Sequence, residues 1–179
     1  MSKGVFIDRD GTINKEVEYL NDPEKLAFIE GSLEALLMLQ NRGYKLILVT
    51  NQAGIAKGKI TFGQLERIHS KMLSLMKQEG ITLSNEDIYF CPHHADEKCD
   101  CRKPNVKNFK HAEAKFKLDP SKCWVVGDKT SDVEAARRGG YKSILVKTGY
   151  GGKDGRFGTK PDFIAENLLE AAKIIINNA

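Results

Sequence analysis

Short apolar runs alternate with helical patterns along this chain, and that alternation leaves few folds open to it. Residues 4–8, 45–50, 88–91, 123–127 and 143–146 are rich in Val, Ile, Leu and Phe and apolar on both faces. Such runs suit parallel strands covered by helices on two sides. Between them lie helical patterns. Ser32 is placed to cap a helix over 33–41, with Gly43 at its stop. Thr61 and Gln64 form a capping-box signature, followed at helical spacing by Phe62, Leu65, Ile68, Met72 and Leu75, with Gly80 as the end. Further helices are expected over 106–116, 131–138 and 166–177, their apolar positions in the core. Strands alternating with helices imply a doubly wound parallel sheet with right-handed crossovers, a three-layer αβα sandwich of the α/β class. No repeat or linker divides residues 1–179, so a single domain is expected. The glycine-rich, basic stretch 149–160 reads as a surface loop, either a plain connection or part of a site mouth.

The first run ends in Asp8-Arg9-Asp10-Gly11-Thr12. In open α/β sheets, ligands bind beyond the carboxyl ends of the strands, and Thr50 and Asp128 end later runs in the same way. Two acids one residue apart suit phosphoryl chemistry. Asp8 is placed to attack phosphorus in line and form an aspartyl-phosphate. Asp10 is placed to protonate the leaving alcohol and then activate water. A carboxylate approaching a phosphate needs a cation, and Mg²⁺ is the natural one, with Asp128 as the best remaining ligand. Gly11 permits the tight turn after Asp10. Asp132, in the first turn of a helix, either complements the helix dipole or supports the metal.

Cys91-Pro92-His93 and Cys99-Asp100-Cys101 offer three thiolates and an imidazole, a complete tetrahedral set for structural Zn²⁺. His94 competes with His93 for the fourth position. Arg102-Lys103 follows Cys101 directly, so a metal here would anchor the loop that presents both cations. The clustering fits a metal site in a reducing compartment better than a disulfide framework. Cys123, beside Trp124, reads as an inert buried thiol, and His69 and His111 as ordinary surface or partly buried residues away from the motifs.

The net charge of +4 is too small to suggest nucleic acid as a partner, but it is compatible with an anionic small substrate. No apolar run approaches the roughly 20 residues needed to span a bilayer. Met1-Ser2-Lys3-Gly4 leads straight into the first strand, so no signal peptide and a cytoplasmic location are expected. No long exposed apolar stripe calls for a partner chain, and a monomer is expected.

Taken together, Asp8-Arg9-Asp10-Gly11-Thr12, Thr50-Asn51-Gln52, Arg102-Lys103-Pro104 and Gly127-Asp128-Lys129 with Asp132 resemble the four motifs of haloacid-dehalogenase (HAD)-type phosphatases. The likeness is to the small, capless, zinc-containing branch that holds the heptose 1,7-bisphosphate phosphatases, with histidinol-phosphate phosphatase domains beside them. The resemblance implies Asp8 as nucleophile, Asp10 as general acid/base, and Mg²⁺ on Asp8, the Asp10 carbonyl and Asp128. It implies Thr50 and Lys103 on the transferring phosphoryl group, and Arg9, Glu16, Tyr19, Asn51, Gln52, Arg102 and Lys129 around the substrate. It also favours His93, with Cys91, Cys99 and Cys101, as the zinc set. Two stretches depart from the family pattern. Glu16-Val17-Glu18-Tyr19 stands where Asp-x-Gly-Tyr is usual, and Asn105-Val106-Lys107-Asn108 where Pro-Gly-Met is common.

The implied activity is Mg²⁺-dependent removal of the 7-phosphate from D-glycero-D-manno-heptose 1,7-bisphosphate. Lys57, Lys59, Arg102 and Lys129 favour a doubly anionic ligand. Glu16 and Glu18 keep histidinol phosphate as the alternative substrate. A receiver-like phosphoaspartate switch shares the acids, Thr and Lys, but not Asp10 or the Cys/His loop.

Overall fold

Val5, Phe6 and Ile7 are completely buried, which requires cover on both faces of the strand that carries them. The computed structural model describes residues 2–178 and supplies that cover. Its strands are Ser2–Ile7 (β1), Lys45–Asn51 (β2), Ile88–Cys91 (β3), Leu118–Gly127 (β4), Lys142–Val146 (β5) and Phe163–Ala165 (β6). The helices are Ser32–Asn41 (α1), Phe62–Gln78 (α2), Lys107–Phe116 (α3), Thr130–Gly139 (α4) and Leu168–Asn177 (α5). The strands form one sheet in the order β3-β2-β1-β4-β5-β6, and every pairing is parallel.

Alternation along each strand divides the core into two layers. Val5, Ile7, Leu46, Leu48, Trp124 and Val126 pack with Leu36 and Leu39 of α1, Met72 and Met76 of α2, and Ala172 and Ile175 of α5. Phe6, Ile47, Val49 and Val125 face the other way, against Phe109 and Ala112 of α3 and Ala135 and Ala136 of α4. Burial of a large apolar side chain contributes about 1.5–3 kcal/mol, so both helical layers are needed to hold the sheet.

From β1 the chain winds outward through β2 and β3, then crosses back to β4 and winds the other way. The carboxyl ends of β1 and β4 therefore flank the point where strand order reverses, the usual ligand crevice of such sheets. Asp8 and Asp128 each follow one of these two strands.

Several details differ from the sequence expectation. Ser32 is not an N-cap. Gly31 takes that position at φ +77 with no side-chain cap, and the buried Ser32 hydroxyl has no hydrogen-bond partner among the described residues. Phe62 lies outside the core, 55% exposed, with its ring 6.3 Å from that of Phe90. β4 begins at Leu118, earlier than its apolar run, because Leu118 pairs with Ser2 across a register shift. β6 is an unforeseen edge strand beside β5. The capping box of α2 is as expected: Gln64 N donates to Thr61 Oγ1 at 3.2 Å and Thr61 N to Gln64 Oε1 at 2.7 Å, worth about 1 kcal/mol. No helix among the described residues is long and apolar enough to cross a membrane.

Candidate active site

Asp8 N donates to the Val126 carbonyl at 2.9 Å, so β1 and β4 stay in register up to the point where each delivers an acid. The carboxylate oxygens of Asp8, Asp128 and Asp132 lie within 4.8 Å of one another, all buried. Lys103 is the cation among them. Its Nζ is 2.8 Å from Asp8 Oδ1 and 2.6 Å from Asp132 Oδ1, and it donates to the Val49 carbonyl at 2.6 Å. Burial alone would lower the Lys103 pKa, but Asp132 and Asp8 hold it above the ordinary value.

One ammonium does not balance three buried carboxylates. Burial and then the Asp8 charge push the Asp128 pKa up to about 8. Asp128 Oδ2 accepts from Tyr150 N at 2.7 Å, whereas the buried Oδ1 has no hydrogen-bond partner among the described residues. A cluster of carboxylate oxygens with an orphaned acceptor is a donor set that suits a hard divalent cation such as Mg²⁺. Backbone without side chains closes the cradle. A Cβ on Gly11 (φ +83) would lie 2.3 Å from Asp128 Oδ2, and one on Gly149 (φ +57) 2.2 Å from it. Asp132 therefore does more than complement a helix dipole: its Oδ2 accepts from Lys129 N at 3.1 Å while Oδ1 meets Lys103.

Asp10 is held from three directions. Arg9 Nη2 donates to both oxygens, at 3.0 and 2.8 Å, and Arg9 Nε to Oδ1 at 3.1 Å. Asn14 donates to Oδ1 at 3.0 Å and Gln52 to Oδ2 at 2.8 Å. Burial favours the neutral acid, but Arg9 and these donors outweigh it and hold the Asp10 pKa below the ordinary carboxylate value. Gln52 Nε2 also donates to Thr50 Oγ1 at 2.9 Å, joining the acid to the end of β2.

Arg9 is only 1% exposed, and its Nη1 lies 3.1 Å from Nε2 of His69 on α2. This overturns the reading of His69 as an ordinary surface or partly buried residue away from the motifs, because α2 turns it inward, 6% exposed, onto Arg9. His111 is exposed, as expected, and Cys123 is a buried thiol whose pKa burial pushes up to about 11.

Cys91, His93, Cys99 and Cys101 converge beyond β3. Cys91 Sγ is 3.6 Å from Cys99 Sγ and 3.5 Å from His93 Nδ1, and Cys101 Sγ is 3.3 Å from the same nitrogen. These spacings approach the tetrahedral edges set by Zn–S bonds of about 2.3 Å. His94 stands apart, with Nδ1 3.0 Å from Asp96. The loop is tied to the sheet and to α3. Asn51 Oδ1 accepts from Lys103 N at 3.0 Å, while Asn105 donates to the Cys99 carbonyl at 2.8 Å and Asn108 to that of Cys101 at 3.3 Å. The two asparagines that depart from the family pattern thus brace the Cys/His loop.

A cavity of about 600 Å³ opens over Asp10 and Lys103, lined also by Glu16, Glu18, Tyr19, Asn51, Gln52, Arg102 and Lys129. Lys57 and Lys59 are not among its lining residues, although Lys57 donates to the Oη of the lining Tyr19 at 2.8 Å. Lys129 pairs with Glu16 at 3.2 Å and lies over the Tyr150 ring. The 149–160 loop is more than a plain connection, since Tyr150, Asp154 and Arg156 reach the wall, as does Ser131.

This geometry can be set beside known proteins. The family model described as HAD-hydrolase-like matches residues 100–171, a span that includes Lys103, Asp128 and Asp132. A D-glycero-beta-D-manno-heptose-1,7-bisphosphate 7-phosphatase of Haemophilus ducreyi is 42% identical over 82% of this chain and 84% of its own length. The chain belongs to the HAD-like phosphatases. Within that family, a D-glycero-alpha-D-manno-heptose-1,7-bisphosphate 7-phosphatase of Photorhabdus laumondii is 34% identical over 97% of this chain and 96% of its own. The crystal structure of D,D-heptose 1,7-bisphosphate phosphatase from B. bronchiseptica, complexed with magnesium and phosphate, matches with a TM-score of 0.89 and 30% identity, covering 99% of each chain. Membership among HAD-like phosphatases sets aside the receiver-like switch.

Proposed function

We propose that the enzyme removes the 7-phosphate of a D-glycero-D-manno-heptose 1,7-bisphosphate, with Asp8 as nucleophile. The observation that carries this reading is the single crevice at the ends of β1 and β4, where Asp8, Lys103 and Asp128 meet beneath an open, cation-bearing cavity. Heptose-bisphosphate relatives supply the substrate.

Asp8 attacks phosphorus in line with the leaving oxygen of C7. Lys103 holds the attacking carboxylate at Oδ1 and, with the Thr50 hydroxyl, offers fixed donors to the transferring group, whose charge is spread over its equatorial oxygens. Asp10 gives a proton to the leaving alkoxide. It later takes one from the water that attacks phosphorus, releasing inorganic phosphate and restoring Asp8. In the resting site Asp10 is the ionised base, so donation requires its carboxyl to take up a proton and turn from Arg9 towards the sugar. Arg9 is engaged with Asp10 and His69 and acts in positioning rather than as an open substrate donor. Bound at Asp8, the Asp10 carbonyl and Asp128, Mg²⁺ would neutralise the repulsion between nucleophile and phosphate. Structural Zn²⁺ on Cys91, His93, Cys99 and Cys101 would hold Arg102 and Lys103 in place.

Histidinol phosphate as substrate rests on acidic residues at the mouth, but Glu16 is neutralised by Lys129. Steady-state phosphate release with Mg²⁺ from both heptose 1,7-bisphosphate anomers and from histidinol phosphate tests the reading. A kcat/KM for one heptose anomer at least about 100-fold above that for histidinol phosphate is expected, as selective recognition of a second charged group supplies that scale. Preference for histidinol phosphate would overturn the substrate.

A further inference from the structure

Five cations line the cavity: Arg9, Arg102, Lys103, Lys129 and Arg156. Three are already matched with carboxylates. Arg9 is bound to Asp10, Lys103 to Asp8 and Asp132, and Lys129 to Glu16. Among the described residues, the Arg102 guanidinium donates only to the His93 carbonyl, at 3.3 Å. Arg156 has no hydrogen-bond or ion-pair partner among the described residues, although it stands at the wall of an acid-rich site.

The backbone on both sides of Arg156 is nevertheless fixed. Thr130, the first residue of α4, donates its N–H to Asp154 Oδ1 at 2.8 Å and its hydroxyl to Asp154 Oδ2 at 2.7 Å. The same hydroxyl oxygen accepts from Phe157 N at 3.2 Å. Upstream, Gly152 N donates to the Asp128 carbonyl at 2.7 Å, and Thr148 Oγ1 to the Gly11 carbonyl at 2.7 Å. Five bonds thus tie this loop to the elements that carry the metal-ligand candidates and the acid pair. A flexible guanidinium on a pinned backbone loses less freedom on binding than one on an untethered loop.

We propose that Arg156 is a specificity-determining residue that binds the second phosphate of the substrate, the one not transferred. The assignment rests on the bisphosphate reading above and adds a residue outside the four motifs. The guanidinium fork matches two oxygens of a phosphate ester, which an ammonium does not do. A cavity of about 600 Å³ is within the usual range for a whole small ligand rather than one phosphate. Lys129, held by Glu16, is the poorer candidate because that ion pair would have to break.

The test compares kcat/KM for heptose 1,7-bisphosphate with that for heptose 7-phosphate in wild type, Arg156→Gln and Arg156→Lys, each with Mg²⁺. The preference for the bisphosphate is expected to fall about 10-fold in Arg156→Gln, mainly through KM, the scale of one charge-assisted contact at a partly open mouth. Arg156→Lys should recover part of it. A loop that only shaped the site would lower both substrates alike and leave their ratio unchanged. An unchanged ratio in Arg156→Gln, with wild type still preferring the bisphosphate, overturns this assignment alone. A wild type that does not distinguish the two substrates overturns the bisphosphate reading and this assignment together.

Discussion

His69 is a base kept neutral by its surroundings. Its Nε2 faces an Arg9 guanidinium that can only donate, so the ring must carry its proton on Nδ1. Burial, and then the Arg9 charge, lower its pKa to about 3. The unfolded chain takes up this proton near the ordinary value of about 6.5, so below that pH the unfolded state binds more protons. Stability from His69 is therefore complete above about pH 6.5 and lost as pH falls towards 3, with about 2 kcal/mol gone by pH 5. Urea unfolding at pH 7.5 and pH 5 should show a drop about 2 kcal/mol smaller in His69→Gln than in wild type. An identical drop in both would contradict the assignment. The role of Asp8 and Asp10 could be proposed from their place at the end of an apolar run. That Arg9 is buried could not, because its second partner lies far along the chain. One clue was present: His69 falls between Ile68 and Met72 on the apolar stripe of α2.

At the scale of elements, the Cys/His loop and the end of β2 form one device for placing Lys103. Asn51 accepts from Lys103 N, Gln52 N donates to the Cys91 carbonyl at 2.7 Å, and Lys103 lies two residues beyond Cys101. Cys101→Ser should therefore lower bound zinc and kcat together, the latter by about 100-fold, since misplacing a reacting group by about 1 Å costs that much. The Asp8–Asp128 end of the sheet should remain folded by circular dichroism. Full kcat in zinc-depleted protein would contradict the link. The loop was legible because ligand spacing is local, and the α2 capping box for the same reason. β6 was not, because Phe163–Ala165 is too short to show a period. Ser32 misled because the chain reverses at Gly31 instead, where the Leu169 side chain packs 3.1 Å from a Cβ position.

For the whole molecule, one reversal of strand order places the carboxyl ends of β1 and β4 side by side, and the chemistry gathers there. The alternating pattern made that topology readable, since parallel strands covered on both faces have few arrangements. What it could not convey was how distant segments share the mouth. The pairing of Lys129 with Glu16 joins positions 113 residues apart, and the approach of Arg156 to the cavity depends on the tertiary placement of the 149–160 loop. The central claim is that Asp8 acts on one particular phosphate, and ³¹P NMR of the reaction with heptose 1,7-bisphosphate tests it most directly. The account predicts loss of the C7 phosphate resonance, growth of inorganic phosphate, retention of the anomeric phosphate, and no turnover in Asp8→Asn. Release of the anomeric phosphate, or turnover that survives Asp8→Asn, would contradict it.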